Sequence, residues 1–527
     1  MRTFLFNIIK MKKLKLVSLA IAMACATPSL AGGLLTNTNQ HVAFNRMMSR
    51  EASIGIDGVY YNPAGVVFMG EGKHLAINWQ LAYQTRSIEN DYPLFTNNVN
   101  NPTTPREFKG KAFAPVIPSF QYAYNKGRWS LQAGFALTGG GGKCTFDDGL
   151  GSFEKIVAET ALAACQLAGA VDQVAAQYRV PAVFTNNDKF GKEGKYSYNS
   201  YMHGRQYYYG LSLGAAYKFS DNFSAFAGVR GVYASTNYYG YVENIKVGAM
   251  PLYMVLDPTK ETAANIELSC DQNGVGFTPI IGVDFKTGKW NFAAKYEFKT
   301  RIRLKNKSVN QAPSIGNLPD NLRNAYIAGG VPEAAADAII GNPVIQGAMG
   351  QLKTQFDAKL EKAIGEYEDG KKIAGDIPAY LALGVGYSPV NAVRVNVGFH
   401  WFDDKHATSY NNRQEKLDRG TLEYNAGIEV DVNKKITLST GWQNTNYGLS
   451  DEYMDDKSFV VSSNSAAIGG VYHINKKMDL NVAYFHTFYQ HKKTSEKVQL
   501  TEQKSINYSS DYTRNNNVFA VGLDINF

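Results

Sequence analysis

The chain has 527 residues, is 13% aromatic and 44% hydrophobic, and carries 33 Tyr, 28 Phe, 49 Gly and a formal net charge of +8. Arg2, Lys10, Lys12, Lys13 and Lys15 supply five of those charges ahead of Gly32, where no acidic residue offsets them, so the rest carries +3, too little to argue for nucleic acid. Past that point no apolar run reaches the length of a spanning helix, which excludes a helical membrane protein and leaves a large soluble β protein or an outer-membrane barrel.

Residues Met11 to Ala31, MKKLKLVSLAIAMACATPSLA, combine a lysine-rich start, an apolar centre too short to span a bilayer and a small-residue stop at Ser29-Leu30-Ala31. Residues 1–31 therefore read as a signal peptide, with Met11 an alternative start and the mature chain beginning near Gly32. Cleavage after Ala26 is a second reading, and Cys25 is a poor match to a lipoprotein acylation site. Residues 32–72 follow with little alternation, rich in Gly and small residues. They are too long for a leader and too poor in large apolar residues for a core. Within them stands Asn62-Pro63-Ala64, by itself an ordinary turn in which Pro63 fixes φ and Asn62 accepts local hydrogen bonds.

From there the chain alternates large apolar residues with small or polar ones, in stretches separated by short turns and long polar loops in turn. Leu75, Ile77, Trp79, Leu81 and Tyr83 open the series, then Phe120, Tyr122 and Tyr124 turn at Asn125-Lys126-Gly127 into Trp129, Leu131, Ala133, Phe135 and Leu137. The runs from Tyr207 to Tyr217, Phe223 to Tyr233, Val275 to Phe285 and Trp290 to Phe298 continue it, joined at Ser220-Asp221-Asn222 and Lys286-Thr287-Gly288-Lys289. Ile377 to Tyr387, Val393 to Trp401, Leu422 to Val430, Ile436 to Trp442, Ala466 to Ile474 and Leu480 to Tyr484 complete the hairpins. The last strand is VFAVGLDINF, where Phe519, Val521, Leu523, Ile525 and Phe527 share a face. The count is about fourteen strands, even as a single-chain barrel requires, with the barrel at residues 73–527 and long extracellular loops at about 139–202, 240–272 and 303–375.

The opposite faces carry Asn78, Gln80, Gln132, Arg230, Asp284, Lys295, Glu297, Arg394, Asn396, His400, Glu423, Asn425, Glu429 and Asn481. Such a face is wrong for a sandwich core, where unpaired charge is expensive, and right for a lumen holding water or a plug. The expected fold is an all-β, fourteen-stranded antiparallel transmembrane barrel with an N-terminal hatch inside the lumen, in the bacterial outer membrane.

Asn62-Pro63-Ala64, placed between a signal segment and the first strand, together with Phe44-Asn45-Arg46 through Ala52 and Asp57, resembles the long-chain fatty-acid transporter family of the outer membrane (FadL-like). The resemblance covers the hatch and the strand count, while the long loops depart from it. It implies passive uptake of long-chain fatty acids or other hydrophobic molecules through binding sites on loops and in the lumen, with sideways release near a kinked third strand. It also implies a monomer that contacts outer-membrane lipid and lipopolysaccharide and is built by the barrel-assembly machinery. A terminal Phe527 resembles the signature that machinery reads.

Site expectations follow from these readings. Gly134, in RWSLQAGFALTGGGG, marks either the opening or a small residue packed on the hatch. Arg230, Lys295, Arg394 and Arg46, with Arg50, are cations able to bind a carboxylate or to pair with Glu297, Glu423 or Glu429. Phe153, Ile156, Leu352 and Phe356 recur at helical spacing in two loops, forming either a ligand groove or a packed cap. Cys144 and Cys165 are the preferred disulfide, leaving Cys270. No metal spacing, cofactor motif, G-x-S-x-G or phosphate-binding loop stands in the chain, and His486 with His491 has no haem motif behind it. The chain thus reads as a transporter and not an enzyme. The alternative is a plugged barrel docking a secretion or surface-modification system.

Overall fold

The computed structural model describes residues 34, 36–501 and 504–527. The expected signal segment, residues 1–31, lies outside the described residues. Fourteen antiparallel strands close into one barrel: β1 (Gly72–Asp91), β2 (Arg106–Lys126), β3 (Trp129–Phe146), β4 (Tyr196–Lys218), β5 (Phe223–Val247), β6 (Ile266–Thr287), β7 (Trp290–Glu297 and Arg303–Gln311), β8 (Lys372–Ala374 and Tyr380–Val390), β9 (Val393–Phe402), β10 (Leu422–Asn433), β11 (Ile436–Asn446), β12 (Ser463–Asn475), β13 (Met478–Tyr489 and Lys492–Thr501) and β14 (Lys504–Asn526). Three broken strands and a two-residue ladder at Met250–Pro251 make up the eighteen hydrogen-bonded segments. β14 pairs with β1 from His74↔Asn526 to Asp91↔Ser509, so the sheet has no free edge.

The wall sorts its residues by the two-residue period. Along β1, Ile77 and Trp79 are 42% and 41% exposed while Asn78 and Gln80 between them are 2% and 1%. Leu131, Leu211, Leu213, Phe277 and Ile468 continue the same exposed apolar belt around the outside. A closed sheet that turns its oily side out and its amides in is stable with lipid as the outer solvent, and this is an outer-membrane β-barrel. Short turns gather at one end and the long loops at the other.

The strands outrun the expected loop boundaries. β3 continues to Phe146, β4 begins at Tyr196, β5 continues to Val247, β6 begins at Ile266 and β7 resumes over Arg303–Gln311. Beyond the bilayer the outward face carries Lys143, Thr145, His203 and Arg205 in place of apolar residues, so the apolar alternation stops while the hydrogen-bond ladder goes on.

Inside the barrel lies the N-terminal segment, with α1 (Val42–Met47) buried at all six positions. Its close approach needs small residues on the wall. A Cβ at Gly427 or Gly441 would stand 2.1 or 1.7 Å from the Met47 carbonyl oxygen. Above the rim, α2 (Gly151–Gln177), α3 (Tyr253–Leu256), α4 (Leu318–Ala328), α5 (Glu333–Ile340) and α6 (Pro343–Ile364) form a cap, with Val157, Val171, Leu322, Ile339 and Leu352 in one buried cluster.

Two loop carboxyls, Glu366 and Asp404, are buried. Neither oxygen of Glu366 has a hydrogen-bond donor among the described residues, and burial pushes its pKa from 4.5 up to about 8, while burial takes Asp404 from 3.8 up to about 7. The folded form therefore holds protons that the unfolded form has released. Stability is fullest below the ordinary carboxyl pKa and falls as pH rises through the folded value. Protection factors against hydrogen exchange (intrinsic over observed rate) in the loops around Glu366 and Asp404 should fall between about pH 5 and pH 8, and Glu366→Gln should flatten much of that slope. An unchanged slope would refute the assignment.

Candidate functional site

The lumen is held by an ion network that joins the N-terminal segment to the wall. Glu429 on β10 pairs with Arg46, with Arg50 at 3.1 Å and with Arg394 at 3.2 Å. Arg50 also bonds Asp57 at 2.6 Å, and Arg46 Nη1 donates to Ser439 Oγ at 2.9 Å. His400 stands between Glu51 and Glu423, 2.7 Å from each. On the other side Glu297 takes Arg230 at 2.5 and 3.0 Å and Lys295 at 2.9 Å. Lys295 donates to the Tyr60 carbonyl at 2.6 Å and lies 3.8 Å from the Tyr60 ring centroid.

These contacts assign every cation named from the sequence. Arg46, Arg50, Arg230, Lys295 and Arg394 all find carboxylates; Arg46 and Arg50 pair the segment to the wall, while Arg230, Lys295 and Arg394 pair within the wall, Lys295 also donating to the Tyr60 carbonyl. Asn62, Pro63 and Ala64 act likewise: Asn62 Nδ2 donates to Asp284 at 2.6 Å, the Pro63 carbonyl accepts from Gln132 at 2.7 Å, and the Ala64 carbonyl accepts from Ser224 at 2.7 Å. One turn thereby fastens to β3, β5 and β6. None of the eight reaches the cavity described next.

That cavity, of about 300 Å³, lies between the N-terminal segment and the inner faces of β1–β4 and β11–β14. Phe44, Met48, Leu137, Phe146, Phe485 and Val518 give it apolar walls, and its volume falls at the lower end of the range for ligand sites. Arg86 and Arg514 face into it from directly opposed register positions on β1 and β14. Both arginines hydrogen-bond the Gln84 amide oxygen, at 3.0 and 2.6 Å, and Arg514 Nε is buried without a partner. Among the described residues no carboxylate pairs with either. The two like charges oppose each other across the β1–β14 seam, where like charges repel, and Arg514 also lies over the Phe459 and Tyr489 rings. Sequence reasoning missed them because both lie above the apolar alternation; the register position of Arg514 on an extended β14 was the signal.

The barrel wall is incomplete beside this cavity. β2 pairs with β3 from Gly110↔Phe146 to Phe113↔Lys143 and again from Phe120↔Phe135, leaving residues 114–119 and 136–142 without the ladder between them. Ala114, Ile117, Ala136, Leu137 and Gly140 to Gly142 line the cavity at that gap. Gly140 has φ +70°, and a Cβ there would lie 2.3 Å from the Gln206 carbonyl oxygen, so the irregular path demands glycine. Asn37 closes the gap from within: its N–H donates to Thr138 O at 3.0 Å and its side chain to Leu137 O and Gly140 O at 3.2 and 2.8 Å. Gly134 is not at the gap. It pairs with Gln121 in regular register, and its missing Cβ leaves 3.2 Å to Val59 of the N-terminal segment, so its smallness serves packing.

The remaining expectations resolve on burial. Ile156 and Leu352 lie in the cap's core, Phe153 packs against it, and Phe356 lies in α6 with its side chain outside the described ones. Cys144 and Cys165 do not pair. Cys144 stands in β3 facing the cavity, Cys165 within α2 under Phe190, and with Cys270 all three are free and buried in separate clusters. Placing Cys144 in a loop was the error, made where the strand left the bilayer.

Breaking a buried pair costs roughly 3–5 kcal/mol because the partner charge is left stranded. Glu429→Gln strands Arg46 and removes one of the two carboxylates on Arg50, so it should loosen the N-terminal segment and raise single-channel conductance in planar bilayers while the barrel still migrates as a folded species. Wild-type conductance in Glu429→Gln would show that the network does not hold the segment.

No protein-family model matches the chain, and no curated protein matches it in sequence. Solved structures do match it in shape. A crystal structure of a Pseudomonas aeruginosa FadL homologue aligns with TM-score 0.57 at 14% identity, over 95% of this chain and 100% of that one. The TodX deltaS2S3 mutant monoaromatic hydrocarbon channel aligns with TM-score 0.51 at 13% identity, over 92% and 98%. At that identity the likeness concerns architecture, and this chain has the fold of the FadL-like outer-membrane barrels.

Proposed function

We propose that this barrel admits hydrophobic small molecules passively across the outer membrane, with long-chain fatty acids as the preferred class. The observation that carries the reading is the Arg86–Arg514 pair, which has no carboxylate partner among the described residues and faces an apolar cavity. An alkyl chain costs about 0.8 kcal/mol per methylene left in water, so a route of apolar sites outcompetes an aqueous pore. A carboxylate head meets the arginines, and the tail lies along Phe44, Met48 and Phe485. The unpaired stretch between β2 and β3 offers exit sideways into the bilayer. The shared architecture with a FadL homologue and with a channel described for monoaromatic hydrocarbons supports hydrophobic cargo. The chain acts by binding and release, without a chemical step.

Arg86→Gln combined with Arg514→Gln removes charge-assisted hydrogen bonds worth about 1.5–3 kcal/mol each. Uptake of a radiolabelled long-chain fatty acid by cells carrying this double variant should fall at least about tenfold, while uptake of toluene stays at the wild-type level. Equal loss for both solutes would remove the carboxylate from the reading. Ala136→Trp, which fills the cavity beside the gap, should block both solutes; unimpaired uptake in that variant would defeat the route itself.

A further inference from the structure

The sequence Arg301-Ile302-Arg303-Leu304-Lys305-Asn306-Lys307 sets a cation at every second position. In β7 this puts Ile302, Leu304 and Asn306 inside, at 0%, 0% and 2% exposure, and Arg301, Arg303, Lys305 and Lys307 outside and exposed. Lys372 of β8 is the register partner of Lys305, which adds a fifth exposed cation beside the ladder. Only Arg303 finds an acid, Asp376 at 2.8 Å. Among the described residues no carboxylate lies within ion-pair distance of Arg301, Lys305, Lys307 or Lys372, although Asp271 of β6 is the register partner of Lys307. Like charges directly opposed, as Lys305 and Lys372 are, weaken a sheet unless an anion lies between them.

The ladder begins where the membrane belt ends. Arg301 lies against Gly276, whose chain neighbours Val275 and Phe277 are 64% and 70% exposed, and Phe298 closes the apolar run of β7. From Arg301 to Lys307 the strand rises about 20 Å. An ordinary phospholipid head-group layer is only about 5–8 Å deep, so the column of charge is taller than one such layer. We propose that this ladder docks lipopolysaccharide, the outer-leaflet glycolipid whose phosphates and acidic sugars are stacked in tiers above the acyl chains. The lipid tails lie on Phe277 and Val275 while the phosphates bridge Lys305 and Lys372. This surface is on the outside of the barrel, independent of the cavity and of its cargo.

The test titrates the detergent-purified full-length barrel with lipopolysaccharide, with its dephosphorylated form and with inorganic phosphate, read by native mass spectrometry. R301Q/K305Q/K307Q/K372Q should bind lipopolysaccharide at least about tenfold more weakly than wild type. The control K434Q/K435Q/K476Q/K477Q removes the same charge from the short turns at the opposite rim and should bind as wild type does. Wild type should hold the dephosphorylated lipid no better than the ladder variant holds the intact one, and inorganic phosphate should not compete at equal concentration. Undiminished binding by the ladder variant, equal loss in both variants, full retention of the dephosphorylated lipid, or competition by inorganic phosphate would each overturn the proposal. If the fourfold ladder variant fails to fold, K305Q/K372Q carries the same test with a smaller expected loss.

Discussion

Hydrocarbon offers a polypeptide no hydrogen bonds, and that constraint shapes this chain on both sides of its wall. The sheet must close on itself, with β14 returning to β1, and its outward residues must be apolar. The two-residue period then throws the polar half of each strand inward, where charge has to be answered. Glu429, Glu423, His400 and Lys295 of the wall would be costly in an empty, dry lumen. The N-terminal segment answers them with Arg46, Arg50, Glu51 and the Tyr60 carbonyl. The segment is thus the electrostatic complement of the wall as much as an obstruction within it.

Against that background the two places left unanswered stand out. Arg46, Arg50, Arg230 and Lys295 of the lumen meet carboxylates, yet Arg86 and Arg514 face one another with a single glutamine oxygen between them. The ladder between β2 and β3 is missing over residues 114–119 and 136–142, as that between β6 and β7 is over 274–279 and 298–304. The arginine pair and the β2–β3 interruption border one cavity. Opposed like charges and an interrupted ladder are each destabilising alone, and their coincidence at one cavity is what the proposed route rests on.

Much of the architecture was legible because the bilayer writes it in a strong code. Within the apolar belt each strand announces itself by alternation, as Leu75 to Tyr83 does, and the polar remainder identifies the lumen. Legibility ended where the bilayer ends. Lys143, Arg205 and Arg303 continue their strands with polar residues outward, so those stretches resembled loops and Cys144 was misplaced with them. The site was less legible still. A cation in the lumen looks the same whether it is paired or not, and only the three-dimensional neighbours of Arg394 and Arg86 tell them apart. The glycine run after Leu137 was visible, but strand pairing alone shows that the ladder fails at 136–142 and holds at Gly134.

The gap also explains why the irregularity sits on β2 and β3. Pro115 and Pro118 have no N–H to donate, so this stretch of β2 is ill suited to a ladder from the start. Trp79 Nε1 satisfies the Pro115 carbonyl at 2.9 Å from the outer face, and Gly139 to Gly142 let β3 bulge away. Among the described residues, Asn37 donates to the Leu137, Thr138 and Gly140 carbonyls, and Thr36 bridges Gly139. Three ordinary hydrogen bonds are worth about 0.5–1.5 kcal/mol each, whereas separating two fully paired strands would forfeit a whole ladder. The seam between β2 and β3 therefore forfeits less ladder on parting than a fully paired seam does, and Asn37, which bonds across it, belongs to the segment lining the cavity.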